Sequence, residues 1–194
     1  MSNYLGIIFA LVALLSWGFG DFFIQRTTRV VGVWKTLFFI GLTGAVLLFP
    51  FVRQELFILD SRSWLLLALL GVVVIFAALF DFSALKQGKI AIVEPILGLE
   101  LPITVGLSIS LGKDQLTPAQ LILIAIVFVG ILLAITVRHN KLNIRGSVFE
   151  KGVILAGVGA VAMAMTNFLV GVSSQQISPL VTIWFTHTFV TVVS

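Results

Sequence analysis

Apolar residues fill long blocks of this chain, and polar residues gather into short words between the blocks. The blocks cover 5–24, 31–52, 64–85, 90–111, 119–137 and 152–172, with a seventh from 179 to the end. Each is close to the roughly 20 residues that a helix needs to cross the hydrocarbon of a bilayer. The pattern therefore predicts an all-α, polytopic helical membrane protein. The words between the blocks read as turns: QRTTR, KQGK, GKDQLTP and SSQQISP. Two connections, 53–63 and 138–151, are longer. The seventh block is still apolar at Ser194, so the expectation is a fragment of a longer chain.

Composition narrows the class. The chain is 59% hydrophobic and 10% charged, against about half and about a quarter in soluble domains. Mean hydropathy is +1.17. The excess of Phe (17) over Tyr (1) suits rings facing lipid or a dry core, where a phenol would need a partner. Net charge is +4, yet the basic residues lie between the apolar blocks, where a polytopic protein carries them. No nucleic-acid partner is expected. Cysteine is absent, which excludes disulfides, thiolate metal sites and cysteine nucleophiles. His139 and His187 cannot make a metal site alone, so neither a metal nor a cofactor is expected. The opening MSNYLG lacks the basic region of a cleaved signal peptide, so the first block is expected to be retained.

Charges inside the blocks carry the candidate chemistry. In AIVEPILGLELPITVGL (91–107), two glutamates each precede a proline. At about 1.5 Å per residue Glu100 lies roughly 15 Å deep, near the middle of a hydrocarbon core about 30 Å thick. An acidic residue at a helix centre costs about 2.5–3.5 kcal/mol to insert, so it should face a cavity or a partner. Thr104 follows one turn later on the same stripe. Pro95 is expected in the first turn, where its missing N–H costs little. Pro102 sits mid-span and frees the carbonyl of Gly98, which needs another partner in lipid. GLELP thus reads as a broken helix at the depth of the carboxylate. Asp21, Lys35, Asp81 and Glu94 share a shallower level, where they are vestibule or ion-pair candidates, Lys35 pairing with Asp21 or Asp81. Trp17 is about 18 Å into its span, placed to stack on a ligand or to pack in the core. The small-residue word GVGAVAMA (157–164) suits close helix packing.

A faint internal repeat sets WGFGDFFI (17–24) against MAMTNFLV (163–170), so Asp21 meets Asn167, and the same offset sets Phe39 on Phe185. Five helices separate the two copies. Five is odd, so the second copy enters the membrane inverted, as in secondary transporters whose site lies between the repeats. Several words also resemble a known family. LVALLSWGFGDFFIQR at the start, FSALKQGKIAIVEPILGLELPITVGL (82–107) and the following LGKDQLTPAQLILIAIVFVGILL are similar to the EamA-type family of the drug/metabolite transporter superfamily. The resemblance implies a carrier of small organic metabolites with ten helices in two inverted five-helix repeats, seven of them present here. One departure is Lys113 and Asp114 where the family has an acid directly after LG, and no role is carried onto Asp114.

The resulting expectation is a first repeat over 1–138, a basic loop over 139–151 and the start of a second repeat over 152–194. The chain would be a multi-pass plasma-membrane carrier, not an enzyme, moving a small-molecule solute by alternating access. Glu100 is the expected proton- or cation-coupling residue, Thr104 and Pro102 shape the site, and Trp17 and Asn167 are further binding candidates. Coupling to protons or another ion gradient is expected, with uncoupled facilitation as the alternative. Two other classes fit parts of the sequence. GFGD (18–21) matches the GxGD word of intramembrane aspartyl proteases, with Asp81 as a second carboxylate, but Phe80 stands where those enzymes have tyrosine and the helix order is reversed. A membrane scaffold is the third class, and it would not need a carboxylate at the midplane. Orientation is contested: nine basic residues flank the loops 1–2, 3–4 and 5–6 against three on the other side, placing the N-terminus outside, whereas the resemblance implies a cytoplasmic N-terminus.

Overall fold

The computed structural model describes residues 2–111, 116–141 and 147–194. All regular structure among these residues is helical: α1 (Ser2–Val31), α2 (Val33–Val52), a 3-10 turn (Glu55–Ile58), α3 (Ser61–Gln87), α4 (Ile90–Leu97), α5 (Glu100–Ser110), α6 (Pro118–Lys141), α7 (Ser147–Gln176) and α8 (Pro179–Val193). Leu5–Val31, Val33–Val52, Ser61–Gln87, Ile90–Ser110 and Lys151–Gln176 are long and apolar enough to cross a membrane, and Pro118–Leu133 and Pro179–Val193 are shorter apolar helices. The protein is an integral multi-pass membrane protein. GKDQ (112–115), with Lys113 and Asp114, lies outside the described residues, as does the 142–146 part of the basic loop.

QRTTR is not a turn. It is the last stretch of α1, and the reason is tertiary. Gln25 Nε2 donates to the carbonyls of Leu85 (3.1 Å) and Gly88 (3.3 Å), and Arg29 Nε donates to that of Lys86 (3.2 Å). These donors satisfy the carbonyls that the end of α3 leaves without helical partners. Thr28, fully buried, bonds back to the Ile24 carbonyl at 2.8 Å. The reversal into α2 then takes one residue, Gly32, at φ +93°, a conformation glycine adopts without a Cβ penalty.

Other boundaries follow local chemistry. Asp60 caps α3 by accepting from the Ser63 N–H at 3.0 Å. Hydrogen bonds from Ser63 hold the Asp60 carboxyl below its usual range, so the cap persists on acidification until the pH falls through that lowered value. Thr117 and Gln120 form a reciprocal capping box at the start of α6: Thr117 N–H donates to Gln120 Oε1 at 2.8 Å, and Gln120 N–H donates to Thr117 Oγ1 at 3.4 Å. At α4 the Lys89 carbonyl already accepts from the N–H groups of Ile92 and Val93. The first turn is thereby 90–93, and Pro95 lies inside α4 rather than in its first turn as expected.

The core forms where α7 and α8 pack against α2, α3 and α4. α3 packs most extensively against α7, and α2 against α8. One buried cluster (Ala84, Leu85, Ile92, Val93, Ile96, Ala156) joins α3, α4 and α7, and a second (Val52, Leu67, Ile177, Val181) joins α2 and α3 to the α7–α8 turn. Small residues set the α3–α7 distance. Ala156, Ala160 and Ala164 are fully buried, and a Cβ built on Gly152 would lie 2.8 Å from the Gly88 Cα. The close packing expected of GVGAVAMA is present on the stripe holding Gly159, Ala160 and Ala164, while Gly157 faces open space. On the other seam, a Cβ on Gly44 would strike the His187 ring, and Trp184 Nε1 donates to the Ala45 carbonyl at 3.0 Å. His187 and Trp184 dock α8 on α2.

Candidate functional site

The fourth span is broken where the GLELP word falls. Gly98 and Leu99 form a turn between α4 and α5. Pro102 has no N–H to offer the Gly98 carbonyl four residues back. That carbonyl instead accepts from the Leu101 N–H at 3.3 Å, and the Leu99 N–H turns to the Ile96 carbonyl at 3.1 Å. These tighter bonds restart the helix at Glu100. Pro102 thus occupies the first turn of α5, where a missing donor costs little, and Glu100 is the first residue past the break.

Carboxylates from four helices lie within electrostatic range of one another. Asp81 of α3 feels Glu100, Glu94 and Asp21; Glu94 of α4 feels Asp21 and Glu100; Glu100 of α5 feels Asp21 of α1. Among the described residues, no basic group acts on any of them. Lys35 is exposed and makes no ion pair with Asp21 or Asp81. By depth along the sequence alone, Glu100 stands apart from the shallower acids. The fold joins them, because α3, α4 and α5 all pack against α7 and α1 packs against α3.

Asp81 is 8% exposed and lies against Gly159 of α7, where any Cβ would displace its carboxylate. Neither Asp81 Oδ1 nor Glu94 Oε1 has a hydrogen-bond partner. Glu100 does have a donor, the side-chain amide of Asn167 on α7. Thr104 Oγ1 donates to the Glu100 carbonyl at 2.7 Å and lies 3.4 Å from that of Ala164 on α7. Beside these residues a cavity of about 400 Å³ opens between α5, α6 and α7. Its walls include Leu101, Pro102, Val105, Leu123 and Val127, with Thr104 and Asn167 as its polar groups. That volume lies in the range of small-molecule sites, about 300–1,000 Å³.

Trp17 precedes Asp21 by one turn on the same face of α1 and is 64% exposed. Among the described residues, no three His, Cys, Asp or Glu side chains are placed to hold a metal ion.

Residues 4–136 match the EamA-like transporter family. The chain belongs to that family. It is also 31% identical, over 129 residues, to an uncharacterized protein of Methanocaldococcus jannaschii, an alignment covering 66% of this chain and 93% of that relative. That relative is therefore about as long as the family match alone. No solved structure matches the chain. The broken span, its carboxylate and the cavity beside it all belong to this EamA-like stretch, except for what α7 brings: Asn167, Gly159 and Ala164.

The break can be tested directly. Pro102→Ala restores an N–H to the Gly98 carbonyl and should fuse α4 with α5. Stability in detergent should rise by at most about 1 kcal/mol, the net value of one backbone hydrogen bond, since the Gly98 carbonyl already accepts from Leu101, while solute transport falls. A melting temperature at or below wild type would show that the turn does not depend on the proline.

Proposed function

We propose that this EamA-like protein is a secondary transporter of the plasma membrane that moves a small organic metabolite by alternating access, driven by protons or another ion gradient. The broken span carries the reading. Irregular backbone at membrane depth is tolerated beside a cavity, and carriers place discontinuous helices at their binding sites. Here the turn at 98–99 and Glu100 adjoin a cavity lined by Leu101, Pro102 and Thr104 of the same helix. The repeat offset supports the same reading: Asp21 and Asn167, aligned in the two copies, both act on Glu100. In this reading the copies are inverted repeats that rock about Glu100. Membership of a transporter family favours this reading over the peptidase and scaffold alternatives.

The test is flux. The full chain is reconstituted into liposomes holding a pH-sensitive dye, a pH gradient is imposed, and amines, amino acids and sugar phosphates are added in turn. At least one solute class should move protons above the level of empty liposomes. Silence across the panel, together with no uptake of radiolabelled members of each class, would count against a carrier.

A further inference from the structure

Two polar words of the sequence, QRTTR (25–29) and KQGK (86–89), meet in space, and transport uses neither. Arg29 Nε donates to the Lys86 carbonyl at 3.2 Å, and its Nη2 donates to those of Leu85 and Gly88. At the same turn, a Cβ on Gly152 would lie 2.8 Å from the Gly88 Cα and 3.4 Å from the Gln87 carbonyl carbon. The end of α1, the α3–α4 turn and an early turn of α7 therefore touch around Gly88. Five cations belong to these segments: Arg26 and Arg29 of α1, Lys86 and Lys89 flanking the turn, and Lys151 beside Gly152. All five are exposed, and among the described residues none forms an ion pair.

Depth decides what they face. The spans Leu5–Val31, Ser61–Gln87, Ile90–Ser110 and Lys151–Gln176 each have one end within a few residues of these cations. The patch thus lies at the level of the lipid headgroups, where anionic phosphates attract Lys and Arg. At the opposite ends of the spans the charges are mixed. Glu55 and Asp60 share a cleft with Gln176 and Ser178, and Arg53 and Arg62 lie two residues from those acids in sequence. Unbalanced positive charge gathers at one end only.

The surface below the patch suits an amphiphile rather than a free anion. Phe19, Phe22 and Phe23 share one stripe of α1 with Arg26, at the spacing of a helix face, and all three rings are exposed. We propose that Arg26, Arg29, Lys86, Lys89 and Lys151 form a site for the headgroup of an anionic phospholipid, whose acyl chains run along Phe19, Phe22 and Phe23. The site is independent of what the protein transports. Its effect is on α1, whose buried residues among those described, Gln25 and Thr28, both lie at this end. A phosphate bridging Arg26 and Arg29 to the lysines ties α1 to the α3–α4 turn and to α7.

Thermal melts of the purified full chain in an uncharged detergent test the site. Three probes are compared: dioctanoyl phosphatidylglycerol, dioctanoyl phosphatidylcholine and glycerol phosphate. Phosphatidylglycerol should raise Tm by about 5 °C or more once it is about a hundred-fold above its Kd. Phosphatidylcholine has the same chains without net charge, and glycerol phosphate has the charge without chains, so each should raise Tm far less. Added salt should shrink the phosphatidylglycerol shift. Combining Lys86→Gln, Lys89→Gln and Lys151→Gln should remove most of it, whereas Arg53→Gln, at the opposite end, should keep it. Equal shifts from the two lipids would reduce the effect to chain partitioning, and an equal shift from glycerol phosphate would make this a site for free phosphate. A shift undiminished in the triple variant, or lost equally in Arg53→Gln, would place the lipid elsewhere. Any of these outcomes overturns the proposal. The probe comparison uses wild type alone, so it decides even if a variant fails to fold.

Discussion

Replacing Glu100 by glutamine is expected to reduce solute-dependent proton movement to the level of empty liposomes. Glutamine keeps the length and planarity of the side chain, so the packing of α5 on α7 and the Thr104 bond to the residue-100 carbonyl should survive. What it loses is the ability to carry negative charge or to take up and release a proton. Glu100 stands first in α5, past a backbone break, with Asn167 as its donor and three other carboxylates acting around it. Loss of one charge-assisted interaction, about 1.5–3 kcal/mol, corresponds to roughly ten-fold to a hundred-fold in affinity, and proton coupling through that residue stops altogether. The check is the dye assay beside solute uptake. A variant that retains wild-type proton flux would make Glu100 structural, and the coupling group would have to be sought at Asp81 or Glu94. Loss of proton flux with residual downhill uptake would identify coupling as the step that needs the carboxylate.

The second large effect is on stability, and its sign runs against helix propensity. Alanine is favoured over glycine within a helix by about 0.8–1 kcal/mol, so Gly152→Ala and Gly157→Ala would both stabilise α7 if it stood alone. In the bundle their environments differ. A Cβ on residue 152 would lie 2.8 Å from the Cα and 3.0 Å from the N of Gly88. Those are backbone atoms of the α3–α4 turn, which no side-chain rotation can clear. α3 and α7 would have to separate along the seam lined by Ala156, Ala160 and Ala164, and overpacking of this kind costs about 1–3 kcal/mol. At residue 157 nothing lies within 4 Å. Gly152→Ala should therefore destabilise the protein, while Gly157→Ala should leave it unchanged or slightly more stable. Thermal melts of both variants in the same detergent decide the matter. Equal shifts in the same direction would mean that the α3–α7 approach is looser than described.

Much of the architecture was open to reading in the apolar blocks. The bilayer is a one-dimensional constraint, and about 20 apolar residues in a row are enough to declare a crossing. The break at GLELP was legible for a similarly local reason. A proline removes one particular hydrogen bond, to Gly98, and the consequence appears within a turn of it. The capping of α6 by Thr117 and Gln120 is equally local. QRTTR misled for the opposite reason: a polar word next to an apolar block looks like a turn until the carbonyls at the end of α3 arrive to accept from Gln25 and Arg29.

By itself, then, the sequence determined what each segment needs: which blocks must lie in lipid, where the fourth span cannot remain one helix, and that Glu100 at mid-depth requires company. Only the tertiary structure decided who keeps it. That Asp81 and Glu94 belong with Glu100, that Lys35 stands apart, that Trp17 is left exposed and that Gly159 makes room for a carboxylate all depend on which faces of α1, α3, α4, α5 and α7 turn toward one another. The physical reason is range. Helix formation and insertion are settled by interactions within a few residues or with the solvent. Electrostatic grouping and close packing act across helices, between positions whose separation along the chain carries no record of their distance in space.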